Sequence, residues 1–162
     1  MRIQVLGCSG GMGGGRHTTS YLVDDDILVD AGTGLTTLDR DAMRRIDHVF
    51  LTHSHMDHVL CLPLLLDSVA GERDRPVTVH AIAEVIATLK KHLFNWQLWP
   101  DFSALPSPED CFLRYETLEV GKPVRLGSRE FTAVPAVHVV PAVGYLMRGE
   151  RGGYLFSGDT TV

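Results

Sequence analysis

With 162 residues, 44% hydrophobic and 22% charged, the chain can bury one core and reads most simply as a single globular domain over residues 1–162. A formal net charge of −5 argues against a broad basic surface for nucleic-acid phosphates, yet leaves room for a small anionic substrate drawn to cations in a cleft. No apolar run approaches the roughly 20 residues of a membrane span, and no secretory signal opens the chain, so a cytoplasmic location is expected.

Alternation and β-branched content predict short strands at residues 2–6, 20–23 and 27–29, separated by a glycine-rich loop over residues 10–15 and an acidic turn. A strand at 48–51 leads into a histidine cluster. Residues 59–69 read as a buried helix whose early Pro63 is tolerated near its first turn. A strand at 77–81 and a helix at 83–94, with Val85, Ile86, Leu89 and Leu93 on one face, form a β-α unit. Residues 95–108 carry Trp96, Trp99, Phe102 and several prolines and suit an excursion. Strands are then expected at 116–120, 123–125, 130–136, 144–147 and 154–157, the last two joined through 149–153. The three cysteines, Cys8, Cys61 and Cys111, are too few and too scattered for a disulfide framework or a four-thiolate zinc site, and are expected to be buried thiols.

The segment Thr52-His53-Ser54-His55-Met56-Asp57-His58 places four metal-ligating side chains directly after an apolar strand. Residues two apart on an extended backbone point the same way, so His53 and His55 can share one ion, while Asp57 and His58 on the following turn can reach a second. The bland alternative is a polar surface loop, which this density disfavours. His138 stands among Ala136, Val137, Val139 and Val140, where an unpaired imidazole would be costly, so it needs a partner in the core or on a metal. Asp159 follows a strand and Gly158, which lets its carboxylate project and bridge two cations; an ordinary turn aspartate is the alternative.

The pattern of His53, His55, Asp57 and His58 resembles the His-x-His-x-Asp-His signature of the metallo-β-lactamase superfamily. Val29-Asp30-Ala31-Gly32 is similar to the family's strand-ending Asp-x-Gly element, which implies that Asp30 buttresses the metal loop. Leu6-Gly7-Cys8-Ser9-Gly10-Gly11, Leu62-Pro63-Leu64-Leu65 and the stretch from His138 to Tyr145 resemble the phosphodiesterase branch, which includes class II cyclic-nucleotide phosphodiesterases and tRNA 3′-processing endonucleases. The resemblance implies an α/β fold, the αββα sandwich, truncated here to its N-terminal portion. It also implies two divalent ions, zinc by preference with manganese or iron as alternatives, held by His53, His55, Asp57, His58, His138 and Asp159, with catalytic roles for Asp57 and Asp159. The family's last metal-binding histidine has no counterpart, so either the chain is a fragment or the second site is incomplete.

The implied activity is hydrolysis of a small phosphodiester such as a cyclic nucleotide by a metal-bound hydroxide. The rivals are an acyl hydrolase of the glyoxalase-thioesterase or lactonase type, an RNA-processing nuclease, and a catalytically silent metal-binding domain. RNA is the lesser partner, because Arg44, Arg45, Lys90 and Lys91 form only short basic pairs. The loop from Ser9 to Gly15 is either a phosphate cradle or a plain connection. The aromatics Phe94, Trp96, Trp99 and Phe102 form either a stacking wall for a nucleobase or a core or homodimer contact.

Overall fold

The structure is a computed structural model that describes residues 1–161. Three strands, β1 (Ile3–Gly7), β2 (Ser20–Val23) and β3 (Ile27–Val29), run antiparallel and are continued in one sheet by β4 (His48–Phe50), β5 (Val77–Ala81) and β6 (Leu113–Thr117), each parallel to its predecessor from β3 onward. Parallel neighbours demand crossovers. These are α1 (Arg40–Arg44), the pair α2 (Met56–Val59) and α3 (Leu62–Val69), and α4 (Ala83–His92). A second sheet is an antiparallel meander of β7 (Pro123–Leu126), β8 (Arg129–Pro135), β9 (Val143–Gly149) and β10 (Gly152–Phe156), with β10 and β7 at its edges. Helices, six-stranded sheet and four-stranded sheet are three of the four layers of the expected sandwich.

Side-chain alternation explains why the parallel strands are buried on both faces. Val49, Val77 and Val79 look one way and join a core with Leu62, Leu65, Leu66, Val85, Ile86 and Leu89 of the helices. Phe50 looks the other way, between the sheets, and its ring lies between those of His80 at 4.4 Å and Phe131 of β8 at 4.3 Å. Tyr145 of β9 meets Phe50 edge-on and donates its hydroxyl to the carbonyl of Leu51 at 2.6 Å. Arg129 adds a polar tie, donating in a fork to both carboxylate oxygens of Asp26 at 2.5 and 2.8 Å, from β8 to the turn before β3.

Several differences from the sequence reading have identifiable causes. The helix expected over 59–69 is two helices: Pro63 has no N–H and its ring would meet the carbonyl of Val59, and the amide of Cys61 donates instead to the carbonyl of Ala31 at 2.8 Å. The strand expected at 116–120 lies at 113–117, because β6 is registered against β5, from Val77 opposite Leu113 to Ala81 opposite Thr117. Beyond it the chain turns at Gly121, leaving Val120 49% exposed. The short helix α1, capped by Asp39 accepting from the amide of Ala42, has too few turns for a periodic signal. Of the aromatics, Phe94 and Phe102 are core, Trp99 packs against it, and Trp96 is exposed. Only Cys61 is fully buried; Cys8 is exposed and Cys111 intermediate. No helix among the described residues is long and apolar enough to cross a membrane.

Burial also creates a pH-sensitive joint. Nδ1 of His48 and Nε2 of His80 face each other at 3.0 Å across β4 and β5, and Nδ1 of His80 is buried without a partner among the described residues. Burial, reinforced by the neighbouring His48, pulls the His80 proton affinity down to about 4. The unfolded chain therefore binds this proton more readily than the folded one. The stability contribution is complete above the ordinary histidine value near 6.5 and is lost as pH falls toward about 4. Urea unfolding across that interval will show stability decreasing with acidity, and His80→Phe will flatten the decrease; an unchanged slope would refute the assignment.

Candidate metal centre

The carboxyl ends of β3 and β4 lie side by side, the position at which open parallel sheets commonly place their ligands. Asp30 follows β3 in a left-handed backbone conformation, φ 56°, which aspartate tolerates better than most residues, and it is wholly buried. Its carboxylate accepts from the Thr52 amide at 2.8 Å, the Thr52 hydroxyl at 2.8 Å and Nδ1 of His58 at 2.7 Å. Burial alone would lower the proton affinity of His58; the hydrogen-bonded Asp30 carboxylate more than offsets this and raises it. The amide of Ala31 donates to the carbonyl of His58 at 2.6 Å. Strand end, cluster loop and α2 are thereby joined around one carboxylate.

The cluster opens from Thr52. Nε2 of His53 lies 3.1 Å from Nδ1 of His55, and Nε2 of His138 lies 3.1 Å from that same nitrogen, so a residue from the second sheet's β8–β9 loop meets two from the first sheet. Nitrogens about 2.1 Å from one tetrahedral ion would be about 3.4 Å apart, so this spacing suits a shared cation. Burial, followed by the neighbouring imidazoles, lowers the proton affinity of His53 to about 3, which keeps it neutral and able to donate a lone pair.

His53 also belongs to a second triplet. Its ligand atom and those of His58 and Asp159 lie within 4.8 Å of one another. Among the described residues Nε2 of His58 is buried with no hydrogen-bond partner, 3.5 Å from Asp159 Oδ1 and 3.6 Å from Asp57 Oδ2. A buried nitrogen aimed at two carboxylates but bonded to neither fits a divalent cation, as does the whole imidazole and carboxylate donor set. The six expected side chains thus sit in one place, although Asp57, in the first turn of α2, stands outside both triplets. The sequence reading assigned His53 to one ion only; the geometry places it in both groups.

Thr52, which opens the histidine motif, has a role that the spacing of the histidines does not reveal. It is fully buried, and besides donating to Asp30 through both its amide and its hydroxyl it accepts at its carbonyl from the Val143 amide at 3.0 Å. Gly158, φ 61°, lies so close that an added Cβ would fall 3.2 Å from the Thr52 methyl and 3.0 Å from the Val143 carbonyl. A buried threonine at a strand end must find polar partners, and this was the available signal.

The Beta-lactamase superfamily domain matches residues 25–162, and the chain belongs to the metallo-β-lactamase superfamily. Among curated relatives, a probable 3′,5′-cyclic-nucleotide phosphodiesterase of Yersinia pestis is 30% identical over 129 residues, covering 62% of this chain and 36% of that protein. A ribonuclease Z of Haloarcula marismortui is 32% identical over 158 residues, covering 91% of this chain and 47% of that protein. The chain thus spans about a third to a half of these relatives. In fold it resembles unliganded yeast PDE1, with a TM-score of 0.80 at 16% identity, covering 98% of this chain and 65% of that one. The short form of human tRNase Z gives 0.69 at 18% identity, covering 98% and 69%. These likenesses establish the α/β metallo-β-lactamase fold.

Replacing Asp30 by asparagine removes the charge that His58 faces and one of the carboxylate's two equivalent acceptors. Asp30→Asn is expected to cost about 1–3 kcal/mol. Urea unfolding of the metal-free protein will show it as a lower midpoint at unchanged slope, and an unchanged midpoint would contradict the central role of this carboxylate.

Proposed function

We propose that this chain carries the metal-binding core of a metal-dependent phosphodiester hydrolase acting on a small substrate such as a cyclic nucleotide. The observation that carries this reading is the convergence of His53, His55, His58, His138 and Asp159 from three remote segments, with His53 common to both groups and Nε2 of His58 buried and unbonded among the described residues. His53, His55 and His138 would hold one ion, and His58 with Asp159 and the neighbouring Asp57 a second. When bound, such ions neutralise charge on phosphoryl oxygens and make water nucleophilic near neutral pH. Zinc is the preferred metal, with manganese and iron as alternatives.

The chain's own residues prepare the site. Asp30 fixes the His58 ring so that Nε2 faces inward. His53 is sealed beneath the surface, whereas the side chains of Asp57 and Asp159 are 29% and 48% exposed, on the side open to an arriving substrate and water. Those two carboxylates are therefore the groups assigned to accept the attacking water's proton.

Cleavage of RNA is the second reading, favoured by the ribonuclease Z relatives. Charge supports the small substrate. Among the described residues nine of the 15 lysines and arginines are paired with carboxylates, Arg73, Arg75 and Arg129 on Asp47, Asp26 and Asp24 among them, in a chain of net charge −5, which leaves a minority of the cations for a polyanionic backbone. A panel of bis(p-nitrophenyl) phosphate, cyclic AMP, precursor tRNA, an acyl-thioester and a lactone discriminates. The first two should turn over, a chelator should abolish turnover, zinc or manganese should restore it, and His53→Ala should lower it by about 100-fold or more. Turnover of the acyl compounds alone would sink the phosphodiesterase reading, and turnover of the tRNA alone would select the nuclease.

A further inference from the structure

The loop that carries His138 is held by the segment that carries Asp159. The Val137 amide donates to Thr160 Oγ1 at 3.1 Å, and the Val137 carbonyl accepts from the Thr161 amide at 2.8 Å and the Thr161 hydroxyl at 3.2 Å. Both polar groups of Val137 are thus engaged by the two threonines after Asp159. Packing does not fix this position, because Val137 is 66% and Val139 83% exposed. Nor does a strand ladder, since β8 ends at Pro135 and β9 begins at Val143. At its far end the loop is tied by the Val143 amide to the carbonyl of Thr52, the residue before His53.

His138 therefore hangs between two anchors, each on a segment that bears another member of the cluster. Without the Thr160 and Thr161 anchor, an exposed loop would hold the imidazole, and ordering that loop would fall on the binding event itself. We infer that Thr160 and Thr161 are positioning residues that lock His138 to Asp159, so that the imidazole from one loop and the carboxylate from another reach the cluster as one preformed unit. The inference rests on the reading of the cluster as a metal centre. The Thr160 hydroxyl bonds neither ligand side chain: it accepts from the Val137 amide and donates to the Thr161 carbonyl at 3.4 Å, and Val137 is its link to the His138 loop.

Cobalt(II) is a suitable probe, because its visible absorption reports ligand number and geometry without any assay of turnover. Metal-free protein is titrated with cobalt(II) against a competing chelator, using wild type, Thr160→Val, Thr160→Ser and Thr161→Val, each also melted without metal. Thr160→Val keeps the branched shape and loses the hydroxyl. It should weaken cobalt binding about tenfold, the lower end for residues that orient a ligand, and alter the visible bands. Thr160→Ser should restore both, and Thr161→Val should give a smaller loss, because the stronger Thr161 bond comes from its amide. Thr160 is exposed, so metal-free melting should be unchanged.

In a His138→Ala background Thr160→Val should have no further effect, since its route to the metal has been removed. Wild-type cobalt affinity and spectrum in Thr160→Val would overturn the inference while leaving the metal centre intact. An undiminished loss in the His138→Ala background would also overturn it, by showing that the threonine acts elsewhere. Failure of the wild type to bind cobalt would sink the metal reading and this inference with it.

Discussion

One buried carboxylate organises the carboxyl end of the first sheet. Asp30 has no contact with solvent, and an unpaired charge there would be prohibitively costly, so the fold must bring donors to it. It obtains them from the backbone and hydroxyl of Thr52 and from the ring of His58. That requirement fixes where the loop after β4 begins, where α2 lies and which ring nitrogen of His58 faces the cluster. The left-handed backbone at Asp30, of order 1–3 kcal/mol in strain, is tolerated because the surrounding bonds determine it.

From that point the two sheets become mutually dependent. Phe50 lies between His80 and Phe131, Tyr145 bonds the carbonyl of Leu51, and Val143 bonds the carbonyl of Thr52, so successive residues of one stretch are each engaged by the second sheet. The next residue is His53. The second sheet therefore contributes more than His138 and Asp159: it sets the height and direction of the strand end on which the remaining histidines stand. A cluster assembled from two sheets depends on the inter-sheet core, and a cavity there would loosen ligand geometry without touching a ligand.

Much of this was legible in the residues. The strands at 20–23, 27–29 and 77–81 fall where apolar and β-branched runs placed them, because short strands bounded by glycine or acidic turns have little freedom of register. The grouping of His53, His55 and His58 follows from local spacing. What escaped were features set by other parts of the chain. The place of β6 depends on the length of β5, the break between α2 and α3 on a carbonyl offered by Ala31, and the inclusion of His53 in both triplets on where β10 delivers Asp159. Thr52 and Thr160 carry no periodic signal at all, since each matters through hydrogen bonds to other segments, Thr52 to Asp30 and Val143 and Thr160 to Val137.

The close approaches around the cluster make it a matter of spacing more than of rigidity. A Cβ at Gly32 would fall 2.2 Å from the carbonyl of Asp57, and one at Gly158 about as near to Thr52 and Val143 as packing allows. At both points one backbone passes another with no room for a side chain, which is what lets loops from different strands deliver donors into a space a few ångströms across. The carboxylates that join the histidines come from the segments at these contacts: Asp57 from the turn pressed on Gly32, and Asp159 from the residue after Gly158. A longer side chain at either glycine would push the carboxylate outward while leaving the histidines in place. The charge balance of the centre is accordingly set by backbone contact at two glycines, and its nitrogen donors by the buried bonds of Asp30 and Thr52.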